Sequence, residues 1–299
     1  MTDATAAPPF QTRLRHMSAL RGLNTTILRL EVRRVLRNIR TLILIVAMPT
    51  SFFLLYGTQY HGTGSGPGSG TGTGGAQPLA QIMASVAVYG AMVASTSCGA
   101  SIAVERAAGW NRQLRLTPLA PLAHVAVKTA AAMVLGAVAI AAQFVLGAAL
   151  GVDLPARAWL LAGAAAWLGS MLFAAFGLLC GLLLPLQNVM QLVGPALVLL
   201  AVFGGLFIPL SLLPHAVQSA APFIPAYGPG TIARDCLTGL PSVGALLNLV
   251  AWTAVFATAA AWRLRRDACQ SPFRHHVPGW VHVQHPRQRR RLPADRGHL

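Results

Sequence analysis

Acidic residues are scarce in this 299-residue chain: seven, against 23 Lys+Arg, for a formal net charge of +16. Lysine is scarcer still, with Lys128 alone beside 22 arginines. Charged residues of both signs make up only 10% of the chain, where a soluble domain carries about 25%. A monomer this poor in charge and 55% hydrophobic has no polar coat to hold it in water. The acids Asp3, Glu31, Glu105, Asp153, Asp235, Asp267 and Asp295 are scattered. No two fall close enough in sequence to suggest a metal-binding or acid/base pair. Cys98, Cys180, Cys236 and Cys269 form no CxxC and no disulfide framework, so they read as free thiols in apolar surroundings. The Arg-rich first 40 residues lead to no small-residue cleavage site, which argues against a signal peptide.

Catalytic patterns are missing as well. There is no Walker-type phosphate loop, no HExxH, no acid-rich diphosphate site and no evident Ser–His pairing. The chain therefore reads as a non-enzyme that binds no metal and no cofactor of its own. The glycine-rich stretch His61–Gly75 has no lysine after its glycines, and it reads as a flexible tether, not a phosphate cradle.

A chain both very apolar and very basic is either a nucleic-acid binder or a membrane protein. A nucleic-acid binder would spread its cations along a groove with interleaved aromatics. Here they sit in blocks at the two ends, separated by long uncharged stretches, which excludes nucleic acid as a partner and favours the membrane. About 20 apolar residues cross a bilayer. Six stretches approach that length: 41–57, 79–104, 129–152, 159–183, 192–213 and 242–262. None carries an internal Asp, Glu, Lys or Arg, each of which would cost about 2.5–3.5 kcal/mol at the bilayer centre. With six spans, 21 of the 23 basic residues fall on the side of the termini and two, Arg157 and Arg234, on the other. The positive-inside bias then places both termini in the cytoplasm of a multi-pass protein of the cell membrane.

Residues 24–40 are amphipathic at helical spacing. Leu28, Val32, Val35, Ile39 and Ile43 form one stripe, and Arg29, Arg33, Arg37 and Arg40 another. The periodicity predicts a helix lying in the membrane interface, beyond a plain basic flank. Gly147-xxx-Gly151 and Gly177-xxx-Gly181 allow close helix approach, within one bundle or at a dimer seam. Gln81, Ser85, Tyr89, Ser95, Thr96, Ser97, Gln143, Ser170 and Asn248 are polar positions within spans, expected as interhelical hydrogen-bond partners.

Two more segments carry information. Glu105–Pro121 (ERAAGWNRQLRLTPLAP) follows span 2 with charge, Trp110, a Leu114/Leu116 pair and a stop at Thr117-Pro118, a shape suited to docking in a partner's groove. Gly204–Tyr227 is an apolar run broken by Pro209, Pro214, Pro222 and Pro225. Non-helical backbone at membrane depth persists only where protein or water covers it, so a re-entrant segment between spans 5 and 6 is expected, with a simple loop as the alternative.

Taken in order, LRLEVRRVLRNIRTLILIVAMPTSFFLLYG, AVERAAGWNRQLRLTPLAP and GGLFIPLSLLP with Pro225 and Tyr227 resemble the permease subunit of type-2 ATP-binding-cassette (ABC) exporters, the drug/polysaccharide exporter family. The likeness covers roughly residues 24–266. It implies an all-α membrane domain of six helices after a cytoplasmic tail (1–23), while the Pro, His and Arg content of 267–299 reads as a basic, disordered cytoplasmic tail. It also implies pairing with a second permease subunit, a like copy or a sister chain, and docking onto two separate ATPase subunits that hold ATP and Mg. On that pattern Arg29, Arg33 and Arg37 lie on the connecting helix. Glu105, Arg106, Gly109, Leu114 and Pro118 match the ATPase-contacting segment. Gly204, Gly205, Pro209, Pro214, Pro225 and Tyr227 match the external re-entrant helices. Met83, Tyr89 and Met92 on span 2, with Phe203 and Phe207 on span 5, are the candidate path lining for a small amphipathic or lipid-soluble cargo, drug- or antibiotic-like. Ala107 stands where the family often has a second acid. The tail has no counterpart; Arg289, Arg290 and Arg291 suit anionic lipid, and His275, His276, His282 and His285 lack a second ligand cluster for metal. An ion-coupled carrier or channel would need a titratable group at the midplane, and none is present in the sequence. A non-transporting scaffold is the third alternative.

Overall fold

The computed structural model describes residues 25–63, 76–109 and 121–269, and within them all regular structure is helical. In order these are α1 (Thr25–Leu36), α2 (Ile39–Thr63), α3 (Ala76–Ala107), α4 (Pro121–Ala149), α5 (Ala156–Leu183), α6 (Leu186–Phe203), α7 (His215–Ala220), α8 (Tyr227–Thr238) and α9 (Val243–Cys269). Two single 3-10 turns, Leu210–Leu212 and Ala221–Phe223, flank α7. Uncharged apolar runs make helices here because a helix satisfies its own backbone where water is absent.

Five of these helices, α3, α4, α5, α6 and α9, are long and apolar enough to cross a membrane. In α2 the apolar stretch is shorter, Ile45–Leu55. A proline, Pro49, sits buried inside α2, where it removes one backbone hydrogen bond. The apolar count places span 5 at 192–213, but α6 runs from Leu186 to Phe203. Its start was hidden by Gln187, Asn188 and Gln191, which are polar yet helical, and the link from α5 shrinks to Leu184 and Pro185. Its end is set by Gly204 and Gly205, the latter in the left-handed region at φ +74°. The amphipathic helix predicted over 24–40 likewise stops at Leu36, and Ile39 and Ile43 are exposed residues of α2. At the other end of α2, His61–Thr63 of the expected tether are helical.

The central helix is α3, buried on nearly all sides by α2, α4 and α5. Its fit against α5 depends on missing side chains. A Cβ on Gly177 would lie 2.3 Å from the Thr96 carbonyl oxygen, and one on Gly99 would lie 2.7 Å from the Ala174 oxygen. Gly181 faces Ala100 in the same seam. The Gly177-xxx-Gly181 pair therefore works inside this bundle. Gly147 instead receives the Met83 thioether, and Gly151 closes α4 at φ +80°. Two hydroxyls tie the same layer: Thr96 donates to the Phe173 carbonyl at 3.3 Å and Ser95 to that of Ala132 at 3.2 Å.

Gly177→Val should force α3 and α5 apart, at a cost of about 1–3 kcal/mol or more. Gly194→Val is the control, since a Cβ there meets nothing within 4 Å. Thermal unfolding of the purified chain in one detergent measures both, and similar melting temperatures for the two variants would contradict the close-seam account.

Candidate functional site

Three helix ends meet around the only lysine of the chain. Residues Glu31 and Arg34 lie three apart on α1, Ser101 and Glu105 four apart near the end of α3, and His124 and Lys128 four apart near the start of α4. At these spacings each pair shares one helix face. The three faces converge. Lys128, whose side chain is 2% exposed, reaches Glu105 Oε1 at 2.6 Å. Its ammonium also donates to Glu31 and, at 3.2 Å, to Ser101 Oγ. Arg34 Nη1 donates to Glu105 Oε1 at 3.3 Å, and His124 Nε2 stands 3.2 Å from Glu105 Oε2. The two glutamates of the chain and its only lysine thus occupy one site.

The energetics follow from burial. A carboxylate and an ammonium out of water are each costly, and they persist only when paired and further hydrogen-bonded. Glu105 is 8% exposed at its side chain and has partners on both oxygens. Lys128 uses its three donors on Glu31, Glu105 and Ser101. Arg34 balances the second carboxylate from the exposed rim, so two cations face two anions. Apolar contacts seat the same junction: Val32, Val35 and Leu36 of α1 pack against a cluster that includes Ala131 and Leu135 of α4.

Next to this clamp, Arg106 points to α5. It donates to the Gly181 carbonyl at 3.0 Å and to that of Leu182. These are unpaired carbonyls of a helix C-terminus, where a cation is favoured. Gly109 follows at φ +73°, exposed and with open space around it. Ala107 is exposed. Leu114 and Pro118 lie outside the described residues. Arg29 and Arg33 are exposed on α1, and Arg37 is exposed just after its end. The ion-pairing arginine of α1 is Arg34, which the sequence stripe left out.

At the opposite end, the segment 204–227 is a chain of short pieces. Gly204 is buried against Ala226, and Gly205 turns the chain out of α6. Pro209 and Pro214 are exposed and stand just before a 3-10 turn and α7. Pro225 is buried, and Tyr227 opens α8. The final helix α9 satisfies this irregular backbone. Asn248 donates to the carbonyls of Pro222 (2.6 Å) and Ile224 (3.1 Å), and accepts from the Gly228 amide (3.2 Å). Trp252 donates to the Phe223 carbonyl at 3.0 Å. From α8, Arg234 reaches Ser85 of α3 and the Gly205 carbonyl, both at 3.0 Å.

Of the candidate lining residues, Met83, Tyr89 and Met92 are buried within the chain itself. Phe203 is 42% exposed. Half-buried Phe207 stacks on Phe52 at 4.8 Å and meets Tyr89 edge-on at 4.6 Å. Sequence spacing could not reveal the clamp, because Glu31, Glu105 and Lys128 lie on three segments. The available signal was rarity: the few charges other than arginine stand beside apolar spans.

Residues 23–235 match the protein family described as ABC-2 type transporter. A protein of Bacillus subtilis (strain 168) named as a transport permease, YvfS, is 25% identical over 240 residues, covering 79% of this chain and 95% of that protein.

Lys128→Met should destabilise the fold by about 3–5 kcal/mol, because two largely buried carboxylates lose their shared cation. Glu31→Gln, at the more exposed rim, should cost less. Chemical unfolding of the purified chain tests the order, and a Lys128→Met variant as stable as wild type would remove the clamp.

Proposed function

Because this chain belongs to the ABC-2 type transporter family, we propose that it forms the cargo path of an ATP-driven exporter. It is a permease subunit and a multi-pass membrane protein. In this reading α2 serves as the sixth span beside α3, α4, α5, α6 and α9, over a transmembrane domain of residues 24–266. Both termini face the cytoplasm, as the one-sided arginines favour. The segment 204–227 with α8 re-enters from outside. Its support is that Asn248, Trp252 and Arg234 cover its irregular backbone with protein donors.

The observation that carries the coupling role is the clamp of Glu31, Glu105 and Lys128. It joins the helix before the first span to the ends of the two helices that flank residues 108–120. A push from a partner on that connection would move α1, α3 and α4 as one unit. The partner is a separate ABC ATPase, present in two copies, which holds ATP and Mg; the permease binds no cofactor itself. Closing of the ATPases would tilt the spans and switch access from inside to outside. A second permease subunit, a like copy or a sister chain, completes the path. Phe203 and Phe207 face the cargo, with Met83, Tyr89 and Met92 forming the wall behind them. An apolar wall with an aromatic group of Phe52, Tyr89 and Phe207 suits an amphipathic or lipid-soluble compound, consistent with efflux of a drug- or antibiotic-like molecule. The titratable cluster lies at helix ends and not at mid-span, so it does not favour an ion-coupled carrier.

Co-expression with an ABC ATPase encoded in the same genome should yield a stable complex on pull-down. Failure to co-purify in every detergent tried would overturn the assignment. Within that complex, Glu105→Gln and Gly109→Val should leave ATP hydrolysis measurable while transport per ATP falls by about tenfold. Unchanged coupling in both variants would take the docking role away from this segment.

A further inference from the structure

An apolar groove lies between α4, α5 and α9. Its floor is Met171, Ala175, Leu178 and Leu182 of α5. One wall is Val125 and Thr129 of α4; the other includes Thr253, Ala257, Ala261 and Leu264 of α9. Both threonine hydroxyls donate to carbonyls one turn back in their own helices, at 3.0 and 2.7 Å, so the lining offers a ligand no unpaired polar group. Alanines on α9 keep the groove open. From Met171 to Leu182, and again from Thr253 to Leu264, the helices rise by about 17 Å. One leaflet of bilayer hydrocarbon is about 15 Å deep. The groove is therefore as long as an acyl layer.

Its two ends differ in charge. At the Leu182/Leu264 end, Arg106 lies on the carbonyls of Gly181 and Leu182. Arg265 is exposed, one turn beyond the groove residue Ala261. Arg263 and Arg266 share that stretch of α9, against the single acid Asp267. At the other end the groove is lined by Met171 and Thr253, with no charged residue in its lining.

We propose that this groove is a binding site for one anionic phospholipid of the leaflet on the arginine-rich side. An acyl chain fills the space between α4 and α9, and the phosphate sits at Arg106 and Arg265. The fit is one of depth, dryness and charge: apolar walls for the tail and guanidinium groups for the phosphate. Because Arg106 directly follows Glu105, a bound headgroup would bear on the end of α3 where the clamp lies.

The test uses the purified full chain in micelles doped equally with dioleoyl-phosphatidylglycerol and dioleoyl-phosphatidylcholine, with retained lipid read by native mass spectrometry. One phosphatidylglycerol should remain bound, favoured over phosphatidylcholine by about tenfold or more. Arg265→Gln should lower that preference about fivefold, the loss expected for one arginine near a lipid phosphate. Ala257→Trp fills the groove from an exposed position and should abolish retention of either lipid without lowering the melting temperature. Equal retention of the two lipids by wild type would overturn the proposal, as would undiminished phosphatidylglycerol on the Ala257→Trp variant. A dimer that Ala257→Trp splits would assign the groove to a second copy of the chain instead.

Discussion

Hydrocarbon offers a polypeptide no hydrogen-bond partner, and the architecture of this chain follows from that constraint. Inside a helix the problem is solved locally. At each departure from a helix another part of the chain must supply the missing donor or acceptor. Where α5 ends, Arg106 meets its free carbonyls. Where α6 gives way to short pieces, Asn248 and Trp252 of α9 meet carbonyls of Pro222, Phe223 and Ile224. Where the chain turns at Gly205, Arg234 takes its carbonyl. The polar residues in this apolar protein are few, and Arg106, Arg234, Asn248 and Trp252 among them complete backbone that a bilayer would leave bare.

The same constraint explains how the helices are held together. Lipid is as apolar as leucine, so burying leucine against leucine gains little over burying it in lipid. Close fit and a small number of polar contacts carry the association. Accordingly, the α3–α5 seam is built on Gly99, Gly177 and Gly181, with Thr96 hydrogen-bonded across it. At the α1–α3–α4 junction, where the chain nears the charged edge, ion pairs replace small residues. Lys128 and Glu105 are buried there because they pair with each other and with half-buried Glu31, and neither would be stable in that position alone.

The arginine-rich bias of the sequence has two distinct parts. Most of the arginines are exposed or lie in terminal segments. A few are committed to single positions: Arg34 in the clamp, Arg106 on α5 and Arg234 on Ser85 and Gly205. A transporter permease needs both kinds. The second links helix ends to one another.

Much of the fold was legible in the chain alone, because a bilayer imposes a one-dimensional rule: long uncharged runs become helices. α3, α5 and α9 follow those runs closely, α4 starts about two turns before its run (Pro121 against 129), and the breaks near Gly204 and Pro225 could be read from residue type. The ends of α6 could not, since polarity at Gln187 and Asn188 hides a helix that neighbouring helices support. Nor could the clamp. Glu105 stood out by its place after span 2, but Glu31, Arg34, His124 and Lys128 gain their meaning only when three helices bring them within about 3 Å. Likewise Met83, Tyr89 and Met92 share a span that could face a path or a core, and packing placed all three in the core of the chain. The sequence by itself determined the helices and the family, since hydrophobic length and residue type are local properties. Which charges are paired, which glycines touch and which aromatics remain exposed are properties of distance between segments, and only the tertiary structure decided them.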